Sequence, residues 1–371
     1  MITFEIIHQS AKSKARVGRI QTPHGVIETP TFVPVATNAA IKAVEGSILN
    51  QLGIHLMFCN TYHLLLHPGP EVIAEAGGLH AFMGCNNALI TDSGGFQVFS
   101  LAYGSVHSEL KSRGLKKGAN SVISVTEDGV IFKSYRDGTT VLLTPESSVQ
   151  TQKKLGADLI IPLDELPPYH IDARALRRSL ERTHRWEARS LEEHRKNPQQ
   201  QAMLAVIHGG VDPLLRRESA QFLSKLPFDG FAIGGSLGKT KDELFAVVEA
   251  TVPHLADEKP RHLLGIGDPA SIDRCIPLGI DSFDSSYPTK CARHGILFTA
   301  TGAINITRSA WKHEHRPISQ EPFCKEYTAA YLHHLFKAHE PVAHTLASIH
   351  NISFMVKRMA AYRERILNND V

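Results

Sequence analysis

Three aspartates stand where short apolar runs end: Asp92 after Ala88–Thr91, Asp164 after Leu159–Leu163 and Asp284 after Ile280–Phe283. Asn60 and His208 stand in the same relation to His55–Cys59 and Met203–Ile207. Gly235 and Gly265 follow two further runs, Gly230–Ile233 and His262–Leu264. Carboxylates that converge can serve as nucleophile, general acid and general base, the set that glycosyl chemistry uses. One aspartate after a strand is more often a helix N-cap. Three of them, joined by an asparagine and a histidine at equivalent places, point to a site.

The segments around these residues add detail. Thr91-Asp92-Ser93-Gly94-Gly95-Phe96-Gln97 sets two glycines beside an aspartate, which lets backbone N–H groups approach a ligand closely. A plain tight turn is the alternative for that segment alone. Gly234-Gly235-Ser236 and Gly265-Ile266-Gly267-Asp268-Pro269 offer similar openings. Directly after Asp284, Tyr287-Pro288-Thr289-Lys290-Cys291-Ala292-Arg293 carries two basic residues that can bind phosphates, or simply be solvated.

The elements that must position these groups are strands alternating with helices. Thr31–Val35 completes a set of eight apolar runs, and most gaps between runs suit helices. Thr144-Pro145-Glu146 reads as an N-cap with proline at the first helical position, and Gly156 ends that helix. Asp172 to Lys196 reads as an amphipathic surface helix with Leu176, Leu180, Ala188 and Leu191 on its apolar face. Eight β/α units predict an α/β chain folded as a (β/α)8 TIM barrel, whose strand ends open on one mouth. An open doubly wound sheet is the alternative, but it calls for a glycine-rich loop after the first strand. Ala36-Thr37-Asn38-Ala39-Ala40 does not supply one.

The barrel is expected over residues 1–305. An antiparallel β insertion over the mouth is expected at about 120–143, turning at Asp128-Gly129 and Asp137-Gly138. Residues 306–371, rich in histidine, are expected to form a helical C-terminal subdomain packed on the barrel.

With 371 residues, 42% hydrophobic and 21% charged, the chain can bury a large core. A net charge of +3 neither announces nor excludes a nucleic-acid partner. The cysteines, Cys59, Cys85, Cys275, Cys291 and Cys324, are odd in number and scattered, which suggests a reducing compartment. The N-terminus does not read as a signal peptide, and no apolar stretch approaches the ~20 residues of a membrane span. A soluble cytoplasmic protein with no membrane partner is the expectation.

The ordered set of segments resembles the tRNA-guanine transglycosylase (queuine tRNA-ribosyltransferase) family, bacterial type, over nearly the whole chain. It runs through Cys59-Asn60-Thr61-Tyr62-His63-Leu64, Thr91–Gln97, Pro162-Leu163-Asp164-Glu165 and Phe231-Ala232-Ile233-Gly234-Gly235. It continues through Leu264-Gly265-Ile266-Gly267, Phe283–Thr289, Ala330–Leu335 and His350-Asn351. The resemblance implies a barrel with a zinc-bearing C-terminal subdomain, a bacterial homodimer, and exchange of guanine at the wobble position of GUN-anticodon tRNAs for a free 7-deazaguanine base.

By that resemblance Asp284 is the nucleophile, Asp92 the general acid/base and Asp164 the carboxylate that recognises the base. Asn60, His208, Gly235, Ser236, Phe96, Leu264, Leu166 and Gly238 fall on base-binding positions, with Phe96 and Leu264 on the two faces of the base. Thr289, Lys290 and Arg293 fall on the tRNA-contacting segment. Neither ATP nor a redox cofactor is required. The family usually has glutamine at His208, cysteine at Leu166 and valine at Gly238. The last two exchanges favour queuine over its smaller aminomethyl precursor, unless Gly238 only relaxes a turn after Leu237.

For zinc, the family's four-ligand set is degenerate here. Alignment on Tyr327 and Tyr331 offers Ser319, Glu321, Cys324 and His350, with His339 or His344 as possible helpers. Packing rather than metal is the expected support of this loop; if zinc binds, Cys324 and His350, with Glu321, are its ligands. Tyr327, Tyr331 and His334 are expected to share one helix face at the dimer contact. A barrel glycoside hydrolase, or a tRNA-binding subunit without chemistry, are the competing functions.

Overall fold

The computed structural model describes residues 2–101, 122–319 and 324–371. Three antiparallel strands open the chain: β1 (Thr3–Gln9), β2 (Arg16–Thr22) and β3 (Gly25–Thr29). The barrel strands follow as β4 (Thr31–Ala36), β5 (Leu56–Cys59) and β6 (Ala88–Thr91). A second antiparallel sheet comprises β7 (Val122–Val125), β8 (Val130–Lys133) and β9 (Thr140–Leu143). The barrel resumes with β10 (Leu159–Ile160), β11 (Ala202–Ile207), β12 (Gly230–Ile233), β13 (Arg261–Leu263) and β14 (Ser282–Ser285). A last hairpin pairs β15 (Ile296–Thr299) with β16 (Gly302–Asn305). The eight parallel strands close in the order β10-β11-β12-β13-β14-β4-β5-β6, which is the expected (β/α)8 barrel.

Most strand edges shift by a residue or so, and three differences bear on the site. The fourth strand is only Leu159–Ile160, so Asp164 stands four residues beyond it rather than directly after it. The eighth strand is Ser282–Ser285, so Asp284 lies within it rather than after it. The seventh begins at Arg261, a charged residue that sequence patterning leaves outside a strand. Its guanidinium is buried against Asp257 and Asp281, which offsets the cost of placing it there. Helix caps match well. Thr144 and Ser147 form a reciprocal capping box, and Gly156 ends that helix with a left-handed φ of 73°. Asp172 caps Ala173–Lys196 by accepting from Ala175 N–H at 2.9 Å.

Side chains inside the barrel form one apolar cluster, including Val33, Leu56, Phe58, Ala88, Ile90, Leu204, Val206 and Ala232. Ile20 and Ile27 belong to the same cluster, so the β1–β3 sheet closes the barrel at the end opposite the mouth. No expectation covered this sheet, because β1 alternates charged and apolar residues over too short a span to stand out. Outward faces of the strands pack on the helices through a larger cluster that includes Leu155, Leu223, Val248, Ile272 and Met355. Each such side chain contributes about 1.5–3 kcal/mol by leaving water.

The β7–β9 sheet sits where the insertion was expected, beside the mouth. Tyr62, just past β5, packs on Phe132 and stacks with Tyr135, and Trp186 Nε1 donates to Glu127 O at 2.8 Å. The C-terminal region is helical over Ala329–Lys337 and Val342–Leu367, the longer helix lying against β1, β2 and β4. Among the described residues no helix is long and apolar enough to cross a membrane.

Candidate active site

The barrel's parallel register brings the expected residues to one mouth. Asp92, Asp164 and Asp284 line one cavity of about 370 Å³, together with Asn60, Phe96 and Leu264. None of the three aspartates caps the helix that follows it. True caps in this chain are Asp172, Asp212 and Asp268, each accepting from the N–H groups of its own helix. The cavity aspartates are thus not held as caps of their own helices.

Asp92 is buried, and its carboxylate accepts from Asn60 Nδ2 at 2.9 Å, Thr61 N–H at 2.7 Å and Gln97 Nε2 at 2.8 Å. Thr61 is the first residue of its helix, and Asn60 there makes no side-chain cap. Asp92 therefore reaches across from the neighbouring strand to hold that helix end. Burial is the largest influence and pushes the Asp92 carboxyl up to about 6, the three donors opposing it and the charge of Asp284 adding to it. A carboxyl near neutrality can both give and take a proton.

Asp284 is held differently. Its Oδ1 lies 3.0 Å from His262 Nε2 and accepts from Gly265 N–H at 2.8 Å. Among the described residues Oδ2 has no hydrogen-bond partner, and the residue faces the cavity. One oxygen is thus fixed and the other is left to attack. His262 is itself oriented by Ser282 Oγ, 2.8 Å from Nδ1.

Asp164 Oδ2 lies 2.8 Å from His208 Nε2, and Ser93 Oγ donates to Oδ1 at 3.3 Å. His208, expected among the base-binding residues, turns its Nε2 toward the Asp164 carboxylate. Gly235 has a φ of 73°, and a Cβ there would come within 2.6 Å of His208 Nδ1, so only glycine fits. Ser236 borders a second hollow of about 290 Å³ with Leu166, Tyr169 and Gly238. Phe96, Leu166, Gly235 and Leu264 line both hollows, which are therefore adjacent.

Gly238 has its own conformational reason. Its φ is 95°, and a Cβ would meet Glu243 Cβ at 2.5 Å. The turn alone requires glycine, so the missing valine is not simply a removed wall.

The helix Tyr287–Arg293 begins two residues after β14 and carries the expected basic residues. Lys290 is exposed. Arg293 is half-buried and donates from Nη1 to Thr289 O at 3.0 Å. Thr289 is buried, with its hydroxyl donating to Ser286 O, so its side chain faces inward rather than toward a polyanion.

Of the C-terminal residues considered as zinc ligands, Ser319, Cys324 and His350 come together: Cys324 and His350 line one small hollow, and Ser319 Oγ lies beside His350. His350 Nε2 is 2.7 Å from Phe298 O and Nδ1 is 3.2 Å from Ser319 Oγ. Cys324 Sγ donates to Leu346 O at 3.8 Å. His339 and His344 border a different hollow, with Arg293. Glu321 lies outside the described residues. Cys324 and His350 each have a backbone carbonyl among their partners, Leu346 O and Phe298 O.

Two residues escaped sequence reading. His262 is one; strand pairing sets it opposite Ser282, so it leans on the same inner face as Asp284. A period-2 reading of β13 and β14 together would have found it. Arg216 is the other. Fully buried, it donates to Gly210 O, Ile207 O, Gly234 O and Ser236 O at 2.7–2.9 Å. It ties the ends of β11 and β12 to the loops that line the cavity. Nothing in its local sequence distinguishes it from the exposed Arg217.

The sequence profile of the family described as "Queuine tRNA-ribosyltransferase" matches residues 10–371. A queuine tRNA-ribosyltransferase of Protochlamydia amoebophila is 60% identical over 98% of this chain and 95% of its own length. One from Chlamydia caviae is 55% identical over the full length of both chains. One from Chlamydia trachomatis serovar D is 56% identical, again over both full lengths. With the barrel, the mouth and these similarities in agreement, the chain belongs to the queuine tRNA-ribosyltransferase family, a family of glycosyltransferases.

Proposed function

We propose that this enzyme removes guanine from the wobble position of GUN-anticodon tRNAs and installs a free 7-deazaguanine, through a covalent bond between Asp284 and the ribose. The observation that carries the reading is the division of labour in one cavity: Asp284 with a free Oδ2, and Asp92 poised near pH 6. As the C1′–N9 bond breaks, Asp284 Oδ2 bonds to C1′ and protonated Asp92 gives its proton to the departing guanine. The incoming base returns a proton from N9 to Asp92; its N9 then bonds to C1′ and frees the Asp284 carboxylate. Asp164 accepts N–H groups from the base edge, and Phe96 and Leu264 cover its faces. Asn60 orients Asp92, while Gly235 and Ser236 hold the base through the backbone. An anticodon-loop base is inexpensive to unstack. Lys290 and Arg293 meet the backbone phosphates, and the active species is a homodimer in the cytoplasm.

Queuine is the base this site suits better. The hollow beyond Leu166 is bordered by Phe96, Pro167, Pro168, Tyr169 and Leu264 and adjoins the carboxylate cavity, with which it shares Phe96, Leu166 and Leu264. An aliphatic wall at Leu166 can pack on a cyclopentene ring and offers nothing to the charged amine of the precursor, whose desolvation is costly. Gly238 leaves that hollow open, but its turn forbids using valine there as a test. The experiment is a competition between the two free bases on a GUN tRNA preloaded with labelled guanine. Queuine should release label with the higher kcat/KM, and Leu166→Cys should narrow the ratio. Preference for the aminomethyl base by the natural enzyme would overturn the base assignment; failure of either base to release label would overturn the reaction itself.

A further inference from the structure

The end of the barrel opposite the mouth carries a cluster that base exchange does not use. His24 lies in the turn between β2 and β3, His80 in the short helix Leu79–Met83, and Asp158 just before β10. One nitrogen from each histidine and one Asp158 oxygen all lie within 4.8 Å of one another. His24 Nδ1 is 2.8 Å from Asp158 Oδ1, and His80 Nε2 is 3.4 Å from Oδ2. We propose that His24, His80 and Asp158 bind a divalent transition-metal ion, of which zinc is the best match, and that this ion locks the β1–β3 sheet onto the base of the barrel.

Four features support the site. First, His80 Nε2 is a buried nitrogen aimed into the cluster; among the described residues it faces only Asp158 Oδ2, at 3.4 Å and without good hydrogen-bond geometry. Such an atom is costly unless something takes its lone pair or its proton. Second, the two imidazoles stack with centroids 3.4 Å apart and planes 12° from parallel. That packing holds both rings beside the one Asp158 carboxylate. Third, tetrahedral zinc bound to nitrogen and oxygen at about 2.0–2.2 Å sets its ligands about 3.4 Å apart; the His80 Nε2–Asp158 Oδ2 separation already has that value, and the half-exposed His24 ring has room to turn its nitrogen toward the same point. Fourth, the carboxylate is already oriented: Leu89 N–H donates to Asp158 Oδ2 at 2.8 Å, the outer support that metal-binding carboxylates normally have.

Access and mechanical sense agree with this. The Asp158 side chain is 1% exposed and that of His80 12%, while that of His24 is 33% exposed. An ion therefore enters past His24, with water as the fourth ligand on that side. The His24 turn is pre-ordered, since Thr22 Oγ1 donates to Gly25 O and accepts from His24 N–H. Binding would add to the hold that Ile20, Ile27 and the Arg16–Asp281 pair give the N-terminal sheet on the barrel, tying it to the His80 helix and the start of β10.

The test uses the full-length enzyme stripped with chelator, then titrated with zinc by calorimetry and checked by elemental analysis. One equivalent should bind, and the melting midpoint should rise with it. His24→Ala and His80→Ala should each weaken binding by on the order of tenfold or more and abolish the rise in midpoint. His24→Ala changes an exposed turn, so its midpoint without zinc confirms that it folds. Cys324→Ser separates this site from the C-terminal loop and should bind zinc as the natural enzyme does. Absence of zinc binding, binding unchanged by His24→Ala, or binding lost in Cys324→Ser would each overturn the proposal. A cobalt-substituted sample should show absorption bands of nitrogen and oxygen ligation without thiolate charge transfer; a thiolate band would likewise overturn it.

Discussion

Two aspartates that share one cavity are made different by what touches them. Asp284 has one oxygen fixed by His262 and Gly265 and one free. Asp284→Asn keeps the shape and removes the nucleophile, so no covalent RNA adduct should be trapped on denaturing gels, while the melting midpoint changes little. An adduct forming at the natural rate would sink the assignment. Asp92 is governed by burial, and its carboxyl sits at about 6 rather than the ordinary 3.8. As the group that takes a proton from the incoming base, it must be ionised, so kcat/KM for the free base should fall below about pH 6. Gln97 donates to Asp92 and so favours its charged form; Gln97→Leu should move that acid limb to higher pH. A limb that stays in place would show that another group titrates.

The same displacement has a sign in stability. A carboxyl raised on folding binds its proton more tightly in the native state, so it favours folding below pH 3.8 and loses that benefit as pH rises to about 6. The full difference is about 3 kcal/mol. Asp92→Asn removes it, and Gln97 Oε1, which has no hydrogen-bond partner, can accept from the new amide. Relative to the natural enzyme, the midpoint of Asp92→Asn should therefore climb by roughly 2–3 °C between pH 4.5 and 7.5. A constant difference across that range would count against the burial argument.

Among the elements, the loops after β11 and β12 depend on a side chain remote in sequence from one of them. Arg216 has no carboxylate partner among the described residues; its donors all go to carbonyl oxygens of these two loops. Burial pushes the guanidinium down from its ordinary range, and four carbonyl dipoles hold the charged form. Arg216→Met should cost about 3 kcal/mol in stability and raise KM for the free base more than it lowers kcat, because Gly235 and Ser236 lose their anchor. A selective loss of kcat would place Arg216 in the chemistry instead. Such a residue shows where sequence reading stops. The eight strands, the Thr144 box and the Asp172 cap were legible because each rests on a local pattern. The three cavity aspartates were legible because strand ends are. The Arg216 and His262 contacts depend on which strands become neighbours, and no local pattern carries that. Gly238 was legible as an absent side chain, yet its reason is a left-handed turn against Glu243 that only the backbone reveals. Thr289 was expected on the tRNA face and is turned inward by its own helix.

For the whole molecule, the remaining question is what covers the aromatic pair at the C-terminal helices. Tyr327, Tyr331 and His334 were expected on one helix, but the helix begins at Ala329 with Thr328 as its cap, and Tyr327 precedes it. The face forms nonetheless, since Tyr327 stacks on Tyr331 with centroids 5.9 Å apart and planes at 17°. Both rings are exposed, at 41% and 44%, and His334 is exposed beside them. Core packing, the usual fate of an aromatic stripe, is therefore not what holds them. Stacked tyrosines on a surface are rigid and lose little entropy on association, which suits an interface centre. A tRNA held at one mouth also extends well beyond a single barrel, so a second copy that supplies backbone contacts without its own chemistry is useful. Light scattering at micromolar concentration should give twice the chain mass, and Tyr331→Ala should shift the population toward monomer and raise KM for tRNA. KM for the free base should stay the same, because the cavity between Asp92 and Asp284 lies within one chain. A monomeric natural enzyme with full activity would refute the dimer, and a dimer indifferent to Tyr331→Ala would place its contact on another face.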